Sequence, residues 1–100
     1  MTEPTNPPTT MAVRHNAAAS RFEATVDGRL CVASYRRSPG VVDLYHTGVP
    51  QALEGRGIAA ALVGAALAWA AAEGLAVRAS CAYVRVYLRR HPELSVRQVD

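Results

Sequence analysis

The sequence has no lysine, and it has little cysteine, histidine or aromatic content. All 11 basic residues are arginine, and the chain of 100 residues holds two cysteines and three histidines. Two cysteines do not form a disulfide framework, and the wide spacing of the cysteines and histidines gives no zinc-binding pattern, so we expect no metal site. The amino terminus also lacks the charged and apolar segments of a secretory leader, which predicts a cytoplasmic protein with reduced thiols.

No apolar run is long enough to predict a membrane span. The uncharged segment 58–72 has 15 residues, whereas a spanning helix needs about 20. Most of this segment is alanine, and Arg56 and Glu73 bracket it. We therefore expect a buried helix and no association with a membrane.

The net charge of the chain indicates which kinds of ligand it could bind. The net charge of +3 and the isoelectric point near 9.3 suit an anionic ligand such as a nucleotide phosphate. The arginines are scattered, and no basic run alternates with aromatic residues, so a nucleic-acid partner is not indicated. Half of the residues are hydrophobic and 19% are charged, as in ordinary globular domains. We expect a disordered tail over residues 1–12 and one domain over residues 13–100, as a monomer or a weak homodimer.

The first half of the chain has the pattern of an antiparallel meander of three strands, or four with the segment near Arg14. The three strands are predicted at Arg21–Val26, Arg29–Arg37 and Val41–Thr47. Asp27-Gly28 and Ser38-Pro39-Gly40 are typical of the turns between them.

Alternation along the strands predicts their apolar faces. Phe22 and Ala24 share one face of the first strand. The partner strand carries Leu30, Val32 and Tyr35 as its large apolar residues. Half-buried strands of this kind need a covering element on the apolar side.

The second half alternates helix and strand. It contains a central helix at Gly55–Glu73, a left-handed cap at Gly74, a short strand at Leu75–Ser80 and a second helix at Ala82–His91, ended by Pro92. The central helix is apolar nearly all round, so we expect the sheet on one side of it and another element on the other. The order β-β-β-α-β-α predicts a mixed α/β (α+β) fold.

The junction before the central helix is a candidate phosphate cradle. Glycines at Gly55 and Gly57 precede the helix, whose first backbone N–H groups lack intrahelical partners and attract anions. The glycine pair is also consistent with turn chemistry alone. A third interpretation is a loose dinucleotide fingerprint running to Ala60, with Glu73 as its acidic residue, but too little chain follows for a doubly wound sheet.

Four stretches have a distinctive order and spacing. They are His46-Thr47-Gly48-Val49-Pro50, Gly55-Arg56-Gly57-Ile58-Ala59, Cys81-Ala82-Tyr83-Val84 and Arg89-Arg90-His91-Pro92-Glu93. Together they resemble the small single-domain, yidJ-like branch of the GNAT acyl-coenzyme A N-acetyltransferases. The likeness covers residues 14–94 and implies a minimal GNAT fold.

The resemblance implies an acetyl-coenzyme A site. The positions implied for the pyrophosphate are Glu54, Gly55, Arg56, Gly57, Ile58 and Ala59. The pantetheine arm is implied along the strand end at Thr47 and Val49. The branch usually has arginine where this chain has Glu54, so a carboxylate stands beside the pyrophosphate. Arg89 and Arg90 could reach the nucleotide phosphates, since guanidinium groups suit phosphate, or could be solvated helix charges.

Cys81 and His46 are the candidate catalytic residues. Cys81 lies between a strand and a helix start, where the helix dipole lowers the pKa of a thiol, and the resemblance implies that it lies near the thioester. It could accept the acetyl group, protonate the departing thiolate, or simply pack as a small apolar residue, as we interpret Cys31. His46 could take a proton from the incoming amine or brace the turn at Val49-Pro50. Tyr83 and Tyr87 are more typical of core residues.

Three functions follow. The first is an acetyl-coenzyme A-dependent N-acetyltransferase acting on an amine, either a small amine such as a polyamine or a protein. The second is a coenzyme A-binding module with little or no turnover. The third is an oxidoreductase or another nucleotide-binding protein that uses the glycine loop.

Overall fold

The computed structural model of the chain describes residues 11–100, which form one mixed sheet and two α-helices. The strands are β1 (Arg14–Asn16), β2 (Arg21–Val26), β3 (Arg29–Ser38), β4 (Val41–Gly48), β5 (Ala76–Ala79) and β6 (Gln98–Val99). The helices are α1 (Ile58–Ala72) and α2 (Ala82–Arg90), and short 3-10 turns lie at Ala17–Ala19 and Gln51–Leu53. The predicted α/β class is confirmed. Of the expected tail, residues 1–10 lie outside the described residues, while Met11 packs against the core.

The strands follow one another across the sheet in chain order, from β1 to β6. β1 to β4 are antiparallel, which confirms the predicted meander with β1 as its fourth strand. β5 and β6 are parallel to their neighbours, so each requires a crossover connection, which α1 and α2 provide. β6 was not predicted, because two residues carry no readable alternation.

The β2–β3 hairpin has the predicted two-residue turn. Asp27 and Gly28 have φ angles of 52° and 75°, as a type I′ turn requires. The turn sets the register, in which Ala24 pairs with Cys31 and Phe22 pairs with Ala33. Because directly opposed residues share a face, the small residues of β3 lie toward the core.

That register decides which face of β3 is buried, a point that the sequence left open. Cys31, Ala33 and Tyr35 are buried, whereas Leu30 is 46% exposed and Val32 is half-buried on the other side. Of the three large apolar residues noted on this strand, only Tyr35 therefore faces the core.

α1 begins at Ile58, later than the predicted start at Gly55. Gly55 and Gly57 have φ angles of 85° and 79°, in the left-handed region that a right-handed helix does not include. α1 ends at Ala72, and Gly74 follows with φ 69°, as predicted. The buried face of α1 consists of Ile58, Leu62, Val63, Ala66, Leu67 and Ala70.

The second cover that we expected over α1 is incomplete. α2 meets α1 at Gly64, where an added methyl group would come within 3.0 Å of the Tyr87 hydroxyl. Farther along α1, Ala68, Ala71 and Ala72 are exposed. Exposed alanine leaves little apolar area in water, so a mostly alanine helix needs less cover than its composition indicates. Within residues 11–100, no helix is both long and apolar enough to cross a membrane.

Both helices lie on one face of the sheet. Val84 and Leu88 of α2 join the same buried core as α1. Among the described residues no helix covers the opposite face of the sheet, which we call the open face. Glu23, Val32, Ser34, Arg36 and Asp43 belong to the open face, because they alternate with buried residues along their strands.

Candidate active site

A cleft of about 440 Å³ opens at the end of β4, between the following loop and the first turn of α1. Its lining residues are Thr47, Val49, Leu53, Glu54, Gly55, Gly57, Ile58, Ala59, Ala60 and Tyr83. Seven of these belong to the predicted cofactor site. The structure thus brings together most of the residues that the resemblance assigned to coenzyme A.

The cleft exists because β4 is longer than β5. The register between them runs from Val41 with Ala76 to Leu44 with Ala79, and there β5 ends. The Cys81 backbone N–H donates to the Leu44 carbonyl at 3.0 Å, which closes the pairing. Residues 46–48 therefore pair with β3 on one side, and residues 45–48 have no β5 neighbour on the other. Their free edge gives the cleft a row of backbone groups.

A β-bulge in β4 decides which side chains face the cleft. Tyr35 pairs with Leu44 and Ser34 pairs with His46, so Tyr45 is an extra residue without a partner on β3. Without it, alternation from Leu44 would turn His46 toward the helices. With it, Thr47 faces the cleft and His46 shares the open face with Ser34. A tyrosine at this position does not indicate a bulge, so the sequence did not predict the shift in side-chain direction.

The loop and the first turn of α1 form an anion-binding geometry. Gly55 and Gly57 have positive φ angles, and a Cβ added to either would have no neighbouring atom within 4 Å. Among residues 11–100 no side chain caps α1 at Gly57, and the first intrahelical bond is donated by Ala61 to the Gly57 carbonyl. The N–H groups of residues 58–60 consequently have no acceptor within the helix, and the helix dipole adds positive charge there.

Two charged side chains of this loop, Glu54 and Arg56, do not contribute positive charge to the cleft as its backbone N–H groups do. Arg56 points away from the cleft, and its Nη1 donates to Asp27 Oδ2 at 3.1 Å, which joins the loop to the β2–β3 hairpin. Glu54 is exposed and lines the cleft. The cleft therefore carries a carboxylate from this loop and no guanidinium group of Arg56.

Cys81 lies at the edge of the cleft, in the N-cap position of α2. It is half-buried, and its Sγ lies 3.8 Å from the Thr47 hydroxyl, a cleft residue. Cys31, in contrast, is fully buried in the core, as interpreted from the sequence, and burial raises the pKa of its thiol. Only one of the two thiols is therefore within reach of a ligand in the cleft.

His46 does not line the cleft. It is exposed on the open face, where a methyl group added to Gly48 would lie 3.0 Å from its Nε2. The bulge thus separates the two candidate catalytic residues, with Cys81 beside Thr47 and His46 on the other side of the strand. An amine that approached from the open face would meet His46 first.

The aromatic and basic residues of α2 divide among several positions. Tyr83 is 38% exposed and forms a wall of the cleft, which corrects its interpretation as a core residue, and partial burial raises the pKa of its hydroxyl. Tyr87 is half-buried and stacks on His91 at 4.2 Å. Arg90 lines a neighbouring depression of about 140 Å³ that shares Tyr83 with the cleft. Arg89 is exposed and lines neither.

Two lining residues, Leu53 and Ala60, were missed by the sequence analysis. Leu53 is buried at the end of the 3-10 turn before the glycine loop. Its apolar side chain stands in an otherwise polar link, and this contrast could have indicated that it is buried. Ala60 follows directly on the predicted segment. Among residues 11–100, no three histidine, cysteine or acidic side chains lie close enough together to hold a metal.

Comparison with known proteins identifies the family of the chain. A family model described as GCN5-related N-acetyl-transferase matches residues 21–98. The chain belongs to this family. The GNAT resemblance drawn from the four stretches is therefore confirmed, and the cleft described above belongs to a GCN5-related N-acetyltransferase.

Curated relatives and a solved structure agree with this assignment. Protein NATD1 of Xenopus tropicalis is 31% identical over 90 residues, which cover 87% of this chain and 83% of that protein. Protein NATD1 of Mus musculus is 44% identical over 83 residues, which cover 80% and 76%. A GCN5-like protein from Staphylococcus aureus, solved in solution by NMR, matches with a TM-score of 0.70 over 88% of this chain and 87% of that one. At 22% identity this last likeness shows a shared GCN5-related N-acetyltransferase fold and no more.

Proposed function

We propose that this GCN5-related N-acetyltransferase moves an acetyl group from acetyl-coenzyme A to an amine. The observation that carries the proposal is one cleft that joins a free strand edge, two glycines with positive φ and the uncapped start of a helix. These features match the successive parts of coenzyme A: an extended arm with two amide groups, followed by a pyrophosphate. Acetyl-coenzyme A would supply the activated acyl group, and the chain would bind and orient it.

The loop and first helical turn fit a pyrophosphate. The N–H groups of Gly57 and Ile58–Ala60 belong to the first turn of α1, next to Gly55 and Gly57, which have no Cβ to obstruct a ligand. Backbone donors at a helix N-terminus bind phosphate without requiring a positively charged side chain. The proposed cradle therefore does not depend on Arg56, whose side chain pairs with Asp27.

The free edge of β4 fits the pantetheine arm. Residues 45–48 have no β5 neighbour, so amide groups of an extended ligand could pair with this edge as an added strand does. Val49, Leu53 and Ile58 supply apolar contact along the same cleft. A ligand laid in this direction, from the loop toward β4, brings its far end toward Thr47 and Cys81.

Two roles fit Cys81 at that end. In the first, Sγ attacks the thioester carbonyl, an S-acetyl bond forms on Cys81, and coenzyme A leaves with the proton that the thiol gives up. The amine then attacks the S-acetyl carbonyl, the amide bond forms as the S–C bond to Cys81 breaks, and the released thiolate takes up a proton from solvent. In the second, the thiol donates its proton to the departing coenzyme A thiolate while the amine attacks directly, and solvent reprotonates Cys81. In both, His46 on the open face would take the proton that the attacking amine must lose.

One observation favours the binding-module alternative. Neither Cys81 nor His46 is among the residues lining the cleft; the hydroxyl-bearing side chains there are Thr47 and Tyr83. A module that held coenzyme A without turnover would need no more than the backbone cradle. Activity, rather than binding, therefore separates the two functions. A cytoplasmic location remains a prediction for both.

Native mass spectrometry of the purified protein is the first test, with calorimetric titration of coenzyme A and of NAD as a matched nucleotide control. We expect co-purified or added coenzyme A to bind and NAD not to bind. A ligand that binds the folded state alone also raises stability, by about 2.7 kcal/mol at a hundredfold excess over Kd. Stabilisation by NAD without stabilisation by coenzyme A would contradict the proposal and favour the dinucleotide interpretation.

A further inference from the structure

The charged residues of the open face are unevenly matched. It carries four arginines and two carboxylates: Arg14, Arg21, Arg36 and Arg78, with Glu23 and Asp43. Both carboxylates are already engaged within the sheet, and of the arginines Arg78 donates from Nε to the Asp100 backbone carbonyl at 2.6 Å. The charge that this face offers to an approaching molecule is therefore positive.

The carboxylate of Glu23 is fully engaged in hydrogen bonds to residues of β1 and β2. It is only 7% exposed, and it accepts hydrogen bonds from Arg14, from Arg21 Nε at 2.7 Å and from Asn16 Nδ2 at 3.3 Å. Hydrogen bonds from these arginines lower the pKa of Glu23 to about 2. Two guanidinium groups thus share one carboxylate, which leaves net positive charge at this end of the open face.

Asp43 is diverted from its cross-strand partner. Arg36 and Asp43 are opposed in the β3–β4 register, but Asp43 instead accepts from the Ser80 backbone N–H at 3.3 Å and from the Ser80 hydroxyl at 2.9 Å. Arg36 lies over the Tyr45 ring, with its guanidinium carbon 4.0 Å from the ring centroid. No carboxylate within residues 11–100 lies within ion-pair distance of Arg36. Its charge and the exposed Tyr45 ring face solvent together.

The Arg36–Tyr45 pair lies at the start of the β4 edge that has no β5 neighbour, and Thr47, farther along the same edge, lines the cleft. Tyr45 is the bulged residue, followed directly by His46, and the unpaired edge of β4 begins here. On the other side of His46, the row continues through Ser34 to Arg21. His46 therefore has arginines of two strands near it on the open face, and the next residue, Thr47, lines the cleft in which we propose that the thioester binds.

We infer that the open face docks an acidic polypeptide segment, with a carboxylate of that segment on Arg36 and its amine directed to His46. This inference rests on the proposed acetyl transfer, which supplies the reason for an amine at this position. It narrows the acceptor class that the sequence left open between polyamines and proteins. The arginines repel a polyamine and attract a segment in which acidic residues accompany the accepting amine.

Size and chemistry favour a polypeptide over other anions. The arginines are spread from β1 to β5, which is about 19 Å across at the usual spacing of strands, wider than a single amino acid. A nucleic acid would match the charge. Within residues 11–100, however, Tyr45 is the one aromatic ring that stacks with an arginine of the open face, whereas proteins that bind single strands present a series of stacking rings. Nucleobases also lack the alkyl amine that acetyl transfer to nitrogen requires.

Fluorescence anisotropy with three labelled peptides tests the inference. Each has one central lysine, flanked by glutamates, by serines or by arginines. We expect the glutamate peptide to bind about tenfold more tightly than the serine peptide, with salt weakening it, and the arginine peptide not to bind. Amide shifts in ¹⁵N NMR spectra with the glutamate peptide should centre on Arg36, Tyr45 and His46.

Variants that remove one positive charge separate docking from general attraction. Arg36→Gln should weaken binding of the glutamate peptide by about threefold or more. Arg29→Gln makes the same charge change at the hairpin end of β3, where pairing with the core-facing Val26 puts Arg29 on the opposite face of the sheet, and it should not weaken binding. Circular dichroism checks folding, and Arg36→Lys should recover part of the affinity because it restores the charge without the stacked guanidinium plane.

The outcomes that would overturn the inference are distinct from failure of the proposed function. Equal binding of the glutamate and arginine peptides, equal losses in Arg36→Gln and Arg29→Gln, or displacement of the peptide by a single-stranded oligonucleotide at matched charge concentration would each exclude an acidic-peptide site. Coenzyme A titrations run in parallel report on the other proposal. Peptide docking without coenzyme A binding would reject acetyl transfer, and coenzyme A binding without peptide preference would reject this inference.

Discussion

The Thr47 hydroxyl lies 3.8 Å from Sγ of Cys81, and this contact joins the end of β4 to the start of α2. Thr47 lines the cleft, so the contact brings the thiol to the edge of the space in which we propose the thioester binds. It exists because β5 stops at Ala79 and the chain turns back through Cys81, whose backbone N–H bonds to Leu44.

Cys81→Ala should separate transfer from binding. If the thiol takes part in transfer, the variant should bind coenzyme A with unchanged affinity but lose at least about tenfold in turnover, or roughly 1.4 kcal/mol of transition-state stabilisation. Turnover of acetyl-coenzyme A with a panel of amines measures this. An acetyl adduct in the intact mass of the wild type, absent from Cys81→Ala, would identify the covalent role rather than proton donation.

Cys31→Ala is the matched control. Cys31 is completely buried, so removing its sulfur should lower the free energy of unfolding by roughly 1 kcal/mol, as for one buried methyl group. Turnover should not change at a temperature where the variant is folded.

The outcome that would contradict a role for Cys81 is wild-type turnover in Cys81→Ala. The Cys81 thiol would then be a packing group, and His46 would be the leading catalytic candidate.

Gly57→Ala should weaken coenzyme A binding, with Gly74→Ala as its control. Both glycines have positive φ, at 79° and 69°, and a Cβ at either would meet no atom within 4 Å. Each substitution should therefore cost similar left-handed strain, about 1–2 kcal/mol. Only Gly57 lines the cleft, so only its methyl group would obstruct an anion at the start of α1.

Thermal unfolding and titration calorimetry distinguish the two effects. We expect similar drops in Tm for both variants and a loss of coenzyme A affinity in Gly57→Ala alone. Equal affinity in the two variants would remove the backbone cradle from the proposed site.

The sequence predicted the backbone of the site better than its side chains. Glycines at Gly55, Gly57 and Gly74 report local backbone conformation directly, because positive φ is a property of single residues. The meander and the hairpin at Asp27-Gly28 followed from equally local signals. For the same reason, most residues assigned to the cofactor by resemblance do line one cleft.

Side-chain direction depended on pairing, which local pattern does not report. The bulge at Tyr45 turned His46 away from the cleft, and the register with β2 turned Leu30 outward on β3. The ion pair of Arg56 with Asp27 joins residues 29 positions apart. Each of these features requires knowing which strands and loops are neighbours, so sequence reasoning placed the cradle and missed the orientation of its flanking groups.

Glu54→Gln should increase affinity for coenzyme A. Glu54 is exposed in the cleft beside the glycine loop, where a carboxylate repels the proposed pyrophosphate. One unit charge at about 4 Å in water is worth about 1 kcal/mol, so we expect a gain of up to about fivefold at low salt that shrinks as salt screens the charge. Titration calorimetry at two salt concentrations measures this.

Glu73→Gln removes the same charge at the opposite end of α1 and should leave coenzyme A affinity unchanged. If Glu54→Gln binds coenzyme A more weakly than wild type, Glu54 contacts the ligand as an acceptor, for instance to a hydroxyl or amide group. The pyrophosphate would then lie elsewhere than on the loop.

Acid should destabilise the protein through Glu23. The carboxyl accepts hydrogen bonds from Arg21 and Arg14, which lower its pKa from 4.5 to about 2. Because the pKa is lower in the folded state than in the unfolded chain, the unfolded chain binds the proton more readily below pH 4.5. The stability contributed by Glu23 is therefore complete above pH 4.5 and is lost progressively as the pH falls toward 2.

Glu23→Gln has no carboxyl group to titrate at this position. The variant should therefore have a lower Tm than the wild type at pH 7, and its Tm should fall less on acidification. Thermal unfolding at pH 7, 4.5, 3.5 and 2.5 compares the two proteins, with Glu73→Gln as an exposed control that should follow the wild type. Parallel curves for wild type and Glu23→Gln would mean that the buried carboxylate does not hold the arginines of β1 and β2 in place, and the positive charge of the open face would need another explanation.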